Sequence, residues 1–271
     1  MSFIQCDNVV HFYERRPRRA LESQSVSAAT LVFVNALGTD HRIWDDVVEA
    51  LPSALPVLCY DARGHGLTEA AEAPHGVADL STDLFALLEQ LGIGPVVLCG
   101  LSLGGLVAQH FAASRPGQVR AVCLAGTAAR IGSLELWQSR IADVQAGGIS
   151  SIAGSVIERW FSPAFRERDP SAVRGYRAML ERMPVAGYLA ALRVLATADL
   201  RASAAKISAP ALILAGEHDV ATPPVVVEAL AAAIPGARFE LLPRAGHIMC
   251  VDEPLAFAQA LLRFLGELEI V

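Results

Sequence analysis

The sequence predicts an α/β fold: a mostly parallel central sheet with helices on both faces and a helical lid inserted between two late strands. Apolar runs at 31–34, 57–60, 96–99, 121–124 and 211–215 alternate with helical segments, a rhythm that implies right-handed crossovers. The run at 96–99 ends in Gly100-Leu101-Ser102-Leu103-Gly104 and an amphipathic stretch, the pattern of a strand turning sharply into a helix. The stretch between the strands at 121–124 and 211–215 is too long for one crossover. It carries helical patterns such as Leu134 to Val144 and Ala153 to Trp160. A chain of 271 residues, 53% hydrophobic, can bury one large core. The reading therefore assigns 1–130 and 201–271 to a core domain and 131–200 to the lid.

Taken in order, the start of the chain is broken by Gln5, Asp7 and Asn8, so no secretory leader is read there. The basic stretch Glu14-Arg15-Arg16-Pro17-Arg18-Arg19, between the first expected strands, reads as a solvated hairpin loop. Thr30 to Val34 is a strand, followed by the loop Asn35-Ala36-Leu37-Gly38. Further on, Gly100 and Gly104 allow strand and helix to approach around a residue with strained backbone angles, and Gly105 extends the clearance. Such an elbow holds the Ser102 hydroxyl out at the carboxyl end of the sheet.

Serine is a weak nucleophile until a base takes its proton, so the elbow predicts a carboxylate and then a histidine further along. Ala211 to Ala215 reads as a buried strand ending in Gly216-Glu217-His218-Asp219, where Asp219 is the candidate acid and Glu217 its rival. Arg238 to Leu242 alternates as a last strand and is followed by Pro243-Arg244-Ala245-Gly246-His247. His11, His41, His65, His75 and His110 come too early for this order and His218 adjoins the acid, which leaves His247 as the base. Asp252 and Glu253 read as first-turn acids of a final helix opened by Pro254. An oxyanion hole needs two backbone N–H donors. Leu103, after the nucleophile, offers one, and Leu37, in the loop after the first parallel strand, offers the other. A plain strand-end turn is the competing reading of residues 35–38.

Composition narrows the function classes. Five cysteines in odd number, without C-x-x-C spacing, read as small core residues of a reducing compartment. No histidines and carboxylates fall at metal-ligand spacing, so neither a metal nor another cofactor is expected. A net charge of −6 argues against nucleic acid, and no apolar run is long enough to span a bilayer. The expectation is a cytoplasmic enzyme of a small molecule, with room for a homo-oligomer. Between Arg130 and Arg201 lie ten arginines against seven acids, a surplus of +3 that leaves −9 on the rest. A basic lid over an acidic body suits a small anionic substrate, while arginines paired with glutamates on solvated helix faces are the alternative.

The residues also match a known pattern. Asn35-Ala36-Leu37-Gly38-Thr39-Asp40, Tyr60-Asp61-Ala62-Arg63-Gly64-His65-Gly66 and Cys99 to Gly105 resemble the 3-oxoadipate enol-lactonases, α/β-hydrolases of the β-ketoadipate pathway. More telling are the lid segments Thr127-Ala128-Ala129-Arg130-Ile131-Gly132, Glu135-Leu136-Trp137, Arg140-Ile141, Glu158-Arg159-Trp160-Phe161, Pro163 to Arg166, Gly187-Tyr188 and Asp199-Leu200-Arg201. Ala36 stands where that family commonly has serine, and 190–196 lacks its cysteines and following arginine. The resemblance implies the α/β-hydrolase fold and an enol-lactone substrate with a free acetate arm. It calls for a cationic partner to that arm, for which Arg130, Arg140 and Arg193 are candidates, with Trp137 packing on the ring or serving as lid core. A carboxylesterase or C–C bond hydrolase with the same triad is the alternative, and a non-catalytic ligand-binding relative is the remote one. Serine at the elbow argues against haloalkane dehalogenation.

Overall fold

The computed structural model describes residues 2–16, 29–70 and 76–270. Eight strands form one sheet: β1 (Ser2–Cys6), β2 (Val9–Arg16), β3 (Thr30–Val34), β4 (Val57–Tyr60), β5 (Val96–Leu101), β6 (Val119–Ala125), β7 (Ala211–Gly216) and β8 (Arg238–Leu242). Their order across the sheet is β1-β2-β4-β3-β5-β6-β7-β8, antiparallel at β1–β2–β4 and parallel from β4 onward. β4, β5 and β7 are buried at every residue, as continuous apolar strands covered on both faces must be.

The covering helices form two groups. Asp45–Glu49 (α1) packs with the carboxyl-terminal helix, while Val77–Gln90 (α2) packs with Leu103–Ser114 (α3), and α3 lies on β5 and β6. The α/β-hydrolase class read from the sequence is thus observed. One expectation is corrected: Glu14–Arg16 are not loop but the end of β2, in register with Cys59, Leu58 and Val57 of β4. Ladder bonds override their charge, and the exposed side chains sit where the sheet ends. Residues 17–19 of that stretch lie outside the described residues.

The chain inserts six helices between β6 and β7: α4 (Leu134–Gly147), α5 (Ser150–Trp160), α6 (Pro163–Arg168), α7 (Pro170–Glu181), α8 (Val185–Thr197) and α9 (Arg201–Ala204). Local chemistry sets several of their starts. Ser133 accepts from Leu136 N at 3.2 Å, Ser162 from Phe165 N at 3.2 Å and Asp169 from Ala172 N at 2.9 Å, the last two followed by proline at the first helical position. Gly187 of α8 lies so close to Gly64 that a β-carbon there would strike the Gly64 carbonyl. After β7 come α10 (Pro224–Ala233), α11 (Met249–Asp252) and α12 (Pro254–Glu267), the last beginning at Pro254 as expected.

Because the chain steps from β3 to β4 on one side and returns to β5 on the other, the loops after β3 and β5 part at the carboxyl edge. Such a switch point in an open parallel sheet is where a ligand crevice forms.

Candidate active site

Ser102 follows β5 with φ 56° and ψ −114°, a region a non-glycine residue occupies only when its surroundings hold it there. Three bonds do so: Ser102 N donates to Ala125 O at 2.9 Å, and Ser102 O accepts from Thr127 Oγ1 at 2.8 Å and Leu106 N at 3.1 Å. The glycine spacing is now explained sterically. A β-carbon at Gly104 would collide with Val34 O of β3, and one at Gly105 would lie 2.6 Å from the Thr127 side chain.

Asp219 follows β7 and is buried. Its Oδ1 accepts from Ala221 N at 2.7 Å and Thr222 N at 2.8 Å, and its Oδ2 from Thr222 Oγ1 at 2.7 Å and His247 Nδ1 at 2.8 Å. Burial opposes ionisation of this carboxyl, but the His247 charge and the hydrogen bonds from His247 and Thr222 outweigh it. The group is held below the usual carboxylate range. With Nδ1 engaged by the carboxylate, the other imidazole nitrogen is left for the cavity that His247 and Ser102 both line. Glu217, the rival acid, is exposed and accepts from Arg244 N at 2.9 Å instead.

The two expected oxyanion donors stand beside this arrangement. Leu103 is the first residue of α3, so its amide has no partner within the helix and carries the positive end of the helix dipole. Leu37 lines the cavity from a tight turn in which Asn35 Nδ2 donates to Thr39 O at 2.5 Å and Thr39 N to Ala36 O at 3.2 Å. Gly38 takes φ +80° there, and a β-carbon would press 2.7 Å from Leu180 of the insertion.

The cavity has a volume of about 50 Å³ and opens to solvent at its mouth. Ile131, Leu136, Trp137, Val156, Trp160 and Leu195 supply apolar wall, and Arg140, Arg159 and Tyr188 the polar groups. Trp137 is buried, donates Nε1–H to Ile131 O at 2.7 Å and lines the cavity. Arg140 is in place. Arg130 and Arg193 are not: Arg130 is exposed, 4.0 Å from Asp199, which Arg201 also engages. Arg193 is exposed on α8, whose Tyr188, Ala191, Leu192 and Leu195 form the buried side.

Three functional neighbours escaped the sequence reading. Arg159, at the end of α5, lines the cavity. Thr222 braces the Asp219–His247 pair. Asp252 is not in the first turn of the last helix but closes α11, buried, with Oδ2 accepting from Gly246 N at 2.5 Å and Ser162 N at 2.9 Å. Burial pushes its carboxyl up despite those bonds.

Among the described residues, Asp40, His41 and Asp61 are the cluster close enough to hold a metal ion. Their atoms are already committed to one another and to neighbours: Asp61 Oδ1 accepts from His41 N at 2.8 Å and pairs with Nδ1 at 2.9 Å, Asp61 Oδ2 accepts from Leu67 N at 2.8 Å, and Asp40 pairs with Arg42. The five cysteines are all unpaired and buried. No helix among the described residues is long and apolar enough to cross a membrane. His75 lies outside the described residues.

Comparison with known proteins agrees with this geometry. The family model described as alpha/beta hydrolase fold matches residues 29–254. The chain belongs to the α/β-hydrolase family. Within it, the chain is 36% identical to 3-oxoadipate enol-lactonase 2 of Acinetobacter baylyi over 85% of this chain and 86% of that protein. It is 33% identical to 3-oxoadipate enol-lactonase 1 of the same species over 90% and 91%. The crystal structure of the enol-lactonase from Burkholderia xenovorans LB400 superposes with a TM-score of 0.92 at 34% identity, covering 98% of this chain and 100% of that one. The resemblance read from the lid motifs is borne out, and this α/β-hydrolase is a hydrolytic enzyme.

Proposed function

We propose that this hydrolase opens a carboxylate-bearing enol-lactone, 3-oxoadipate enol-lactone to 3-oxoadipate, in the β-ketoadipate pathway of aromatic catabolism. The observation that carries the reading is one cavity that joins Ser102, the Asp219-bound His247 and a half-buried arginine, Arg140. The enol-lactonase relatives support the substrate class.

In this mechanism His247 takes the Ser102 proton as Oγ attacks the lactone carbonyl, and Asp219 holds the resulting imidazolium. The amides of Leu37 and Leu103 receive the oxyanion, each such donor being worth about 3 kcal/mol of transition-state stabilisation. The ring carbon–oxygen bond breaks to give an acyl-enzyme, and the tethered enolate takes the proton back from His247. Water, activated by the same imidazole, then releases the diacid. Arg140 anchors the acetate arm, and Trp137 walls the ring. The enzyme is read as cytoplasmic, acting without metal or other cofactor.

The test is ultraviolet loss of the enol-lactone beside p-nitrophenyl acetate hydrolysis, on wild type and Ser102→Ala. Fast lactone turnover abolished by the substitution is the expected result. Ester turnover alone would replace the substrate with that of a carboxylesterase. Binding without turnover would remove the catalytic reading.

A further inference from the structure

We infer that Arg159 is a specificity-determining residue of this cavity. Arg140 and Arg159 together form a two-guanidinium clamp that selects substrates with a carboxylate on the arm remote from the attacked carbonyl. The inference deepens the function proposed above and rests on it for the nature of the arm.

The argument begins with charge. Arg140 comes from α4 and Arg159 from α5, and both line the space that Ser102 and His247 line. Each is half-buried. Among the described residues neither has a carboxylate within ion-pair distance, whereas Arg42, Arg63, Arg201 and Arg238 all do. The acid that Arg159 senses is Asp219, and its oxygens are committed to His247, Thr222 and Ala221.

Burial and the neighbouring Arg140 charge both push the Arg159 guanidinium down from its ordinary value, so the two cations along this wall repel each other, and an anion held between them would offset that repulsion. Tyr188 lines the same cavity, close enough for its phenol to feel the Arg140 charge. The remaining wall is largely apolar, with Leu136, Trp137, Val156 and Trp160, so the two guanidiniums dominate orientation of a charged arm. A planar carboxylate meets such forks in bidentate fashion, which an ammonium in place of either would not reproduce.

The experiment compares mono-p-nitrophenyl succinate with p-nitrophenyl butyrate, acyl groups of equal length with and without a terminal carboxylate. The ratio of their kcat/KM values is measured for wild type, Arg159→Gln, Arg159→Lys and the exposed Arg174→Gln. Wild type is expected to prefer the succinate ester. Arg159→Gln should lower the ratio about 10- to 100-fold, the worth of a charge-assisted hydrogen bond, with the loss in KM, and Arg159→Lys should recover part of it. An unchanged ratio in Arg159→Gln, or an equal fall in Arg174→Gln, overturns the inference. Should Arg159→Gln fail to fold, inhibition of butyrate-ester turnover by glutarate, weakened in Arg159→Lys and not in Arg174→Gln, decides the same point. Succinate-ester preference without enol-lactone turnover would remove the proposed substrate and keep Arg159's role; lactone turnover with an unchanged ratio would do the opposite.

Discussion

Among the described residues two buried histidine–aspartate pairs occur, His247–Asp219 at 2.8 Å and His41–Asp61 at 2.9 Å, and their contacts alone do not tell them apart. Their settings do. Asp61 receives both the backbone N–H and the Nδ1 of His41 on one oxygen and Leu67 N on the other, which clamps the short 3-10 helix His41–Trp44 to the loop after β4. The His41 ring packs against Phe12 with centroids 4.6 Å apart. His247 instead faces the cavity shared with a strained serine at a strand's carboxyl end. A dyad is a brace unless something reactive waits at the second nitrogen.

The sharpest contrast is in turnover. Ser102→Ala or Asp219→Asn should lower kcat about 10⁴-fold or more, while the melting temperature stays close to wild type for Ser102→Ala. Asp61→Ala should do the reverse. It strands the buried His41 ring and amide, takes the acceptor from Leu67 N, and should cost about 3–5 kcal/mol in chemical unfolding, with kcat per folded molecule within a few-fold of wild type. A turnover loss in Asp61→Ala matching that of Asp219→Asn would erase the distinction between brace and machine.

Asp252→Ala lies between the two. Gly246 N and Ser162 N lose their acceptor, so stability should fall by about 2–4 kcal/mol and kcat should drop with it, because Gly246 adjoins His247. The smallest effect is in pH. The Asp219 carboxyl is depressed when folded, so its contribution is present above the ordinary carboxylate value and is lost as pH falls through the folded one. For His41, burial opposes protonation but the Asp61 bond and charge raise its pKa, so that contribution is full below the ordinary histidine value and is lost as pH rises through the raised one. Stability profiles should therefore lose part of their acid slope in Asp219→Asn and part of their neutral-to-alkaline slope in Asp61→Asn.

What was legible in the sequence follows from how each element is coded. Strands β3 to β7 announce themselves as apolar runs and β8 by alternation, and Ser102, Asp219 and His247 are found because each follows one of them. Side chains on the inserted helices carry no such marker. Arg193 and Arg159 both stand on amphipathic helices, and only the packing of α8 and α5 decides which one meets the cavity. Arg130 is adjacent to the wall residue Ile131, yet Asp199 turns it away. Asp252 looked like a helix-start acid because Pro254 follows it, and its burial depends on a lid backbone 90 residues distant in sequence.

The insertion is fastened beside His247 by main-chain groups together with the Arg168 guanidinium, which donates to Asp252 O at 2.7 Å. Ile248 N donates to Trp160 O at 2.9 Å, and Gly246 N and Ser162 N converge on the single side chain of Asp252. Replacement of the Trp160 side chain can therefore reshape the cavity wall without unfastening the insertion, whereas any displacement of this corner would carry His247 with it.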